Sequence, residues 1–529
     1  MKRKLICLAL SVVMLLSILP LAIFAAEETT APITEYGTTT ADWYTIGTVA
    51  ELNWFIEKES TSSFTCNVRL IENIDYTAEG ATAPTAAPRA EYSEFTGTFD
   101  GNDKTIKGAT TVILCCINGT STVKDLTLLD STVEVGDYGG VLATDMWGSG
   151  NTVTVENVQV KNATVTGVSS AARFGGLIGT IWDKGDFTLK VTNCTVSGTT
   201  TLGSGVNNLI GAAAFVGFFR GNAGGTCTVN FTDCVADMDF NVAAGNSVGV
   251  AGFIGNSYSN IKSGSTATFT NCVNYGDITS ATNKPVAGFS TLKIINIAMT
   301  NCVNFGTMTS TDANGLVNDT TGTITLTDCY DTAEAVAVPT DKGDYAACDI
   351  AVADAQGYKA AATFADWSFG TDWMLTNGYP VPASIFEATA KAQNDKAIVY
   401  EGVQYTEANE NAFNVRFVAT ISEETFAAAQ QIGYDVVMVE AGKAPVGATF
   451  TSDTVYKSLV GYEEDEQVVY NAEEFGGDYL SAIAINNVTA SGTVTLIVRP
   501  YVLTEAGTQA GIPVACVFTE GALVAQYAY

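Results

Sequence analysis

Leu189–Cys194 reads LKVTNC, and the phrase returns as VNFTDC (Val229–Cys234), ATFTNC (Ala267–Cys272), IAMTNC (Ile297–Cys302) and ITLTDC (Ile324–Cys329). Two earlier copies lack the Cys: STVKDL at Ser121–Leu126 and VTVENV at Val153–Val158. Counting the last residue as zero, position −3 is always apolar: Val123, Val155, Val191, Phe231, Phe269, Met299 and Leu326. Position −1 is always Asn or Asp, and −2 is mostly Thr. Apolar residues at alternate positions make a half-buried strand. Asn or Asp after it makes a turn. The residue at zero then points inward again.

A second motif interleaves with the first. Gly139-Gly140-Val141-Leu142 recurs at Gly175–Ile178, Ala213–Val216, Ala251–Ile254, Ala287–Phe289 and Asn314–Val317. Its second residue falls at 140, 176, 214, 252, 288 and 315. Short strands, small turn residues and a fixed period predict a solenoid. The expected class is all-β: a right-handed parallel β-helix followed by a smaller β-sandwich. The two half-repeats of each period are each long enough for one coil, which would place successive Cys two coils apart. At roughly 9–10 Å that exceeds disulfide reach, so these Cys are expected as buried thiols. The pairing of Cys115, Cys116, Cys227 and Cys234 stays open.

The rest of the chain divides around this array. Residues 1–26 run basic, apolar, then small, the order of a secretory signal peptide. A Thr-rich acidic segment follows at 27–42. An N-terminal cap with the first coils is expected at 43–110, where Thr48-Val49-Ala50-Glu51 reads as a capping box opening a helix. The strand Asn67–Tyr76 and a strand–turn–strand at Phe95–Gly108 follow it. The repeats and an aromatic closing segment at Trp367–Pro382 occupy 111–385. A linker at 386–396 leads to a β-sandwich at 397–529, with a helix near Glu423–Gln431 and an acidic solvated stretch at Tyr462–Glu474.

Composition narrows the function. The 529 residues carry a net charge of −31, which repels nucleic acid and anionic membranes. No second long apolar run predicts membrane insertion of the mature chain. Histidine is absent, which removes the commonest general base and metal ligand. Twelve cysteines in an exported chain would ordinarily suggest disulfides, but their place in the repeat argues for core packing.

The cap, the Phe95–Gly108 phrase, the GGLIG-like and TNC-like copies and the aromatic close resemble secreted bacterial β-helix proteins with GLUG-type repeats, of pectate-lyase-like shape, over about residues 43–385. The segment Asn414–Thr420 resembles accessory modules of gut Firmicutes surface proteins. The resemblance implies adhesion or glycan contact at a cell surface or in the medium.

The expected function is therefore a secreted, non-catalytic binding or adhesion protein, with an extracellular polysaccharide or surface glycoprotein as partner. Tyr138, Trp147, Trp182, Asp183, Asp186 and Tyr258 form the candidate ligand face, aromatics beside turns with two carboxylates. No catalytic, cofactor or metal residue is assigned. Calcium on Asp237 and Asp239 would need oxygen ligands at a spacing that no EF-hand-like motif supports. The alternatives are a β-helix polysaccharide lyase or glycoside hydrolase, which needs carboxylates converging on one groove, and a structural spacer. Asp183 and Asp186 near Trp182, Lys184 and Arg173, then Asp237 and Asp239, which could share a strand face, and Asp145 near Trp147 are the enzyme candidates, all in or beside turns where Asp is expected anyway.

Overall fold

A computed structural model describes residues 43–82, 94–331, 364–385, 398–439, 457–463 and 479–528, apart from short stretches inside these spans. The leader, the Thr-rich segment, the 386–396 linker and most of the acidic stretch lie outside the described residues.

The repeats build a parallel β-helix. Its broad sheet has 19 strands and is fed by the TNC-like copies; the Gly motifs feed a six-stranded and a five-stranded sheet. Pairing is parallel and in register. Val155 lies beside Val123 and Val191, Val191 beside Phe231, then Phe269, Met299 and Leu326 follow one per rung. The whole period forms one coil. Asn157 to Asn193 advances 36 residues, Asp233 to Asn271 advances 38, and Asn271 to Asn301 advances 30. The expectation of two coils per period is thus corrected. Each half-repeat does hold strand and turn, but the Cys half and the Gly half are opposite walls of a single circuit. Successive Cys therefore sit on adjacent rungs, and the distance argument against bridging them fails.

The turn residue that recurs in every repeat has a backbone reason. Asp125, Asn157, Asn193, Asp233, Asn271, Asn301 and Asp328 all hold φ between 49° and 54°. Asn and Asp enter this left-handed region more readily than other non-glycine residues. Their side chains then join rung to rung. Asn157 Nδ2 donates to Asp125 Oδ1 at 2.8 Å, Asn193 Nδ2 to Asn157 Oδ1 at 2.7 Å, and Asn301 Nδ2 to Asn271 Oδ1 at 3.1 Å.

Inside, aromatic rings ladder as well. Phe215, Phe253 and Phe289 stack at 4.8 Å per step, and Phe231 stacks on Phe269 at 5.3 Å. Cys194, Cys234, Cys272, Cys302 and Cys329 are free thiols with no solvent exposure. The Gly motif turns tightly between two walls. A Cβ on Gly175 would sit 2.1 Å from the Ile178 carbonyl oxygen and 2.7 Å from that of Phe215. In later coils Gly288 clears space for Asn304, whose Nδ2 donates to Gly306 O at 3.0 Å and to Asp331 Oδ1 at 3.1 Å.

The cap follows its sequence. Helix α1 (Val49–Thr61) opens on the expected box: the Thr48 hydroxyl accepts from the Glu51 N–H, and Glu51 accepts from the N–H of Thr48. It buries Leu52, Phe55 and Ile56. Glu59 is buried too, accepting from the N–H groups of Cys115 at 2.7 Å and Cys116 at 3.2 Å. The phrase at Phe95–Gly108 holds the expected strand, turn and strand as one bent strand within a coil. Thr98–Lys107 pairs in parallel with both neighbouring rungs, and Asn102 and Asp103 carry the positive φ of the bend. The aromatic close is an antiparallel pair, Trp373–Thr376 with Tyr379–Pro382. Trp367 and Trp373 stack at 4.1 Å and join one apolar cluster with Val235, Val273, Val303 and Tyr330. These four lie on four successive rungs, so the segment seals a flank of the coils rather than only the last cross-section.

The C-terminal region is an antiparallel sandwich. Ile398–Asn409, Ala412–Ile421 and Tyr479–Thr489 make one sheet; Ala429–Val439, Lys457–Glu463, Thr493–Thr504, Gly507–Ala510, Val514–Thr519 and Ala522–Ala528 make the other. Phe417, Ala419, Tyr434, Leu496 and Phe518 from both sheets share its core. The helix stops at Ala427, shorter than expected, because Ala429 already pairs with Thr504.

Two outcomes are expected. Gly175→Ala forces backbone apart and should destabilise the protein by about 2–4 kcal/mol in denaturant unfolding; an unchanged midpoint would contradict the tight turn. Burial pushes Glu59 up from 4.5 to about 7 against the two N–H bonds that lower it. The folded state then keeps a proton that the unfolded chain releases, so stability is fullest below the ordinary value of 4.5 and falls as pH rises toward about 7. The slope from this group is about 1.4 kcal/mol per pH unit. Glu59→Gln should flatten that part of the thermal-stability profile; parallel profiles for the two proteins would refute the assignment.

Candidate functional site

Of the described ligand-face residues, Tyr138 and Trp182 come together across two adjacent rungs, beside Arg173. Strand Arg173–Gly175 lies in the six-stranded sheet, and Ile178–Asp183 in the five-stranded sheet. The Arg173 guanidinium is buried between two rings, 4.8 Å from the centre of Tyr138 and 5.2 Å from that of Phe218. Tyr138 meets Trp182 edge to face at 5.9 Å. Trp147 sits beside Trp182 in register, one rung earlier. The side chains of Trp147 and Asp183, and all of Lys184 and Tyr258, lie outside the described residues. Tyr138 and Trp182 are inclined at 68°, so they form a notch rather than a flat sugar platform.

Asp186 serves a different purpose. Its carboxylate accepts from the Thr226 N–H at 2.7 Å and the Thr226 hydroxyl at 3.0 Å, which hold it below the ordinary carboxylate range. The same clamp recurs elsewhere: Asp239 accepts from the Asp277 N–H, and Asp277 from the Thr307 N–H. Asp186 thus ties adjacent rungs and is not joined to the Tyr138 notch by any described contact. Asp145 is fully buried in register with Thr180 and Cys116.

Asp237 and Asp239 do share one outward face, alternating with buried Met238 and Phe240. Desolvation, then the charges of Asp239 and Asp277, push Asp237 up to about 6, although its side chain stands exposed to solvent. Among the described residues, no group of three His, Cys, Asp or Glu side chains is arranged to hold a metal ion.

A regular surface lies apart from the Tyr138 notch. Positions −6, −4 and −2 of each TNC-like strand face outward while their neighbours are buried. Position −6 reads Thr120, Thr152, Thr188, Thr228, Thr266, Asn296, Thr323. Position −4 reads Thr122, Thr154, Lys190, Asn230, Thr268, Ala298, Thr325. Position −2 reads Lys124, Glu156, Thr192, Thr232, Thr270, Thr300, Thr327. The face is thus mostly hydroxyl and methyl, with one acid in a chain of net charge −31. Its residues repeat at about 4.8 Å across rungs and roughly 6.6 Å along each strand. Thr at −2 was visible in the repeat; extending the same comparison to −4 and −6 would have exposed the array.

No protein-family model matches the chain, and no curated protein matches it. It is similar to a solved structure from Bacteroides ovatus described as a "putative immunoglobulin A1 protease", at 16% identity over 65% of this chain and 94% of that one, with a TM-score of 0.36. A likeness at that level carries no argument about activity.

Replacing Arg173 by Met keeps apolar bulk but removes a desolvated cation from two rings, and should cost about 1–2 kcal/mol of unfolding free energy. A change in Trp182 fluorescence should accompany it. Unaltered stability and emission would show that the guanidinium does not hold the notch together.

Proposed function

We propose that this is a secreted, non-catalytic binding protein whose Thr-rich sheet face lies against an extracellular polysaccharide. The observation that carries the reading is the array of outward hydroxyls, nearly free of acid. A hydroxyl donates and accepts at once, so a flat grid of them suits a neutral polyhydroxylated polymer. The many rungs add weak contacts into useful avidity. The basic–apolar–small leader supports export. The resemblance to GLUG-type surface proteins supports an adhesive role for the repeats. Tyr138 and Trp182 would then supply a local contact beside the main face.

Asp237 favours a second reading. A carboxyl raised to about 6 on the same outward strand face as a second carboxylate, Asp239, is an arrangement that acid–base cleavage of a glycosidic bond uses. A polysaccharide-cleaving enzyme would use such a pair.

One experiment separates them. The full chain is incubated with a panel of insoluble and arrayed polysaccharides, and retention and released reducing ends are measured together. The binding reading expects retention without release, and at least a tenfold loss of retention in Thr232→Glu/Thr270→Glu with an unchanged melting temperature. Reducing ends released by the native chain and lost in Asp237→Asn would establish the enzyme instead. No retention on any polysaccharide would remove the proposed ligand class.

A further inference from the structure

We propose that the column Cys194, Cys234, Cys272, Cys302 and Cys329 is a disulfide-forming site, in which neighbouring rungs can be joined covalently through the core. The backbone fixes the adjacency. Val235 N–H donates to Cys194 O at 2.9 Å, Val273 N–H to Cys234 O at 3.0 Å, Val303 N–H to Cys272 O at 3.1 Å and Tyr330 N–H to Cys302 O at 2.8 Å. Rungs so paired lie about 4.8 Å apart, inside the range of about 4.4–6.8 Å that a disulfide spans between Cα atoms. The thiols are also close enough to act on one another: the charge of Cys234 would oppose ionisation of Cys194, that of Cys272 ionisation of Cys234, that of Cys302 ionisation of Cys272, and that of Cys329 ionisation of Cys302.

The chemistry is thiol–disulfide exchange with a small-molecule disulfide. One Cys thiolate attacks that disulfide, releasing one small thiol and leaving a mixed disulfide. The neighbouring Cys then attacks the mixed disulfide, forming the cross-rung S–S bond and releasing the second small thiol. The two protons lost by the cysteines end on the two released thiols, and the two electrons reduce the small disulfide. Timing follows from burial. In the finished coil each of the five sulfurs is sealed from water, and each thiol donates to the carbonyl of the Thr two residues before it at 3.2–3.3 Å. Desolvation holds Cys194, Cys234, Cys272 and Cys302 well above the usual thiol range, so little thiolate exists to react. Exchange therefore belongs to the folding chain, while coils are closing. Five thiols allow two bridges and leave one free.

The pattern is specific enough to test. Cys227 stacks beside Phe187 on one rung, and Ser265 meets it on the next. It has no thiol in its column and serves as an internal control. The full chain is unfolded, reduced, and refolded either in a glutathione redox buffer or with reductant alone, then mapped by non-reducing peptide mass spectrometry. Bridges are expected only between neighbours in the column, with Cys227 and Cys516 still reduced, and with a melting temperature at least 5 °C above the reduced form that dithiothreitol abolishes. Val158 stands where later coils have Cys, so Cys234→Val suits the site. In that variant Cys194 should stay reduced, while one bridge still forms among Cys272, Cys302 and Cys329. Native circular dichroism with all five thiols intact would overturn the proposal. So would bridges that skip a rung, or failure of the glutathione sample alone to regain structure.

Discussion

The fold depends on one constraint: every coil must turn its chain at the same place, through a left-handed residue, so that the next coil lands on it in register. Asn and Asp satisfy this twice over. They tolerate φ near 50°, and their side chains reach the copy on the neighbouring rung. Once that corner is fixed, the apolar residue two positions earlier and the Cys one position later must fall beneath their equivalents. The stacks of Phe, Val and Cys are consequences of the corner as much as causes of the fold.

The constraint also explains what each wall can bear. The inner side must repeat shape, so Phe215, Phe253 and Phe289 align ring on ring. At the tight turn opposite, the Gly175 coil leaves no room for a Cβ, while the next coils carry the small Ala213, Ala251 and Ala287 at the same place. Outward positions carry fewer packing demands, and β-branched Thr, favoured in strands, recurs there and leaves a face of hydroxyls. Where an outward column is apolar, as at Val235, Val273 and Val303, the Trp367–Trp373 segment covers it.

Much of this was legible in the sequence. The alternation around Val191 and Phe231, the Asn corner and the capping box at Thr48 each state their own local geometry. The number of coils per period was not legible, because the Cys half and the Gly half both look like a strand followed by a turn, and only pairing partners reveal that they close one circuit. The site was read less well. Asp186 lies near Trp182 in the sequence, yet its bonds to Thr226 commit it to rung-to-rung attachment. Burial of Glu59 beneath the cap could not be read, since the capping box and the apolar spacing of α1 say nothing about a long-range partner at Cys115. The Thr face was not legible because the positions that vary least from copy to copy are those that build the core, while −4 and −6 admit Lys, Asn and Ala among the Thr.

The central claim is that each repeat advances the solenoid by a single rung, and a distance across several repeats tests it most directly. Nitroxides placed at positions 152 and 323, five rungs apart in one outward column, should give a narrow dipolar distance distribution centred near about 24 Å between backbones, widened by the label arms. A distribution centred near about 48 Å would mean two rungs per repeat, and a broad one would mean no stacked column at all, either of which contradicts the account.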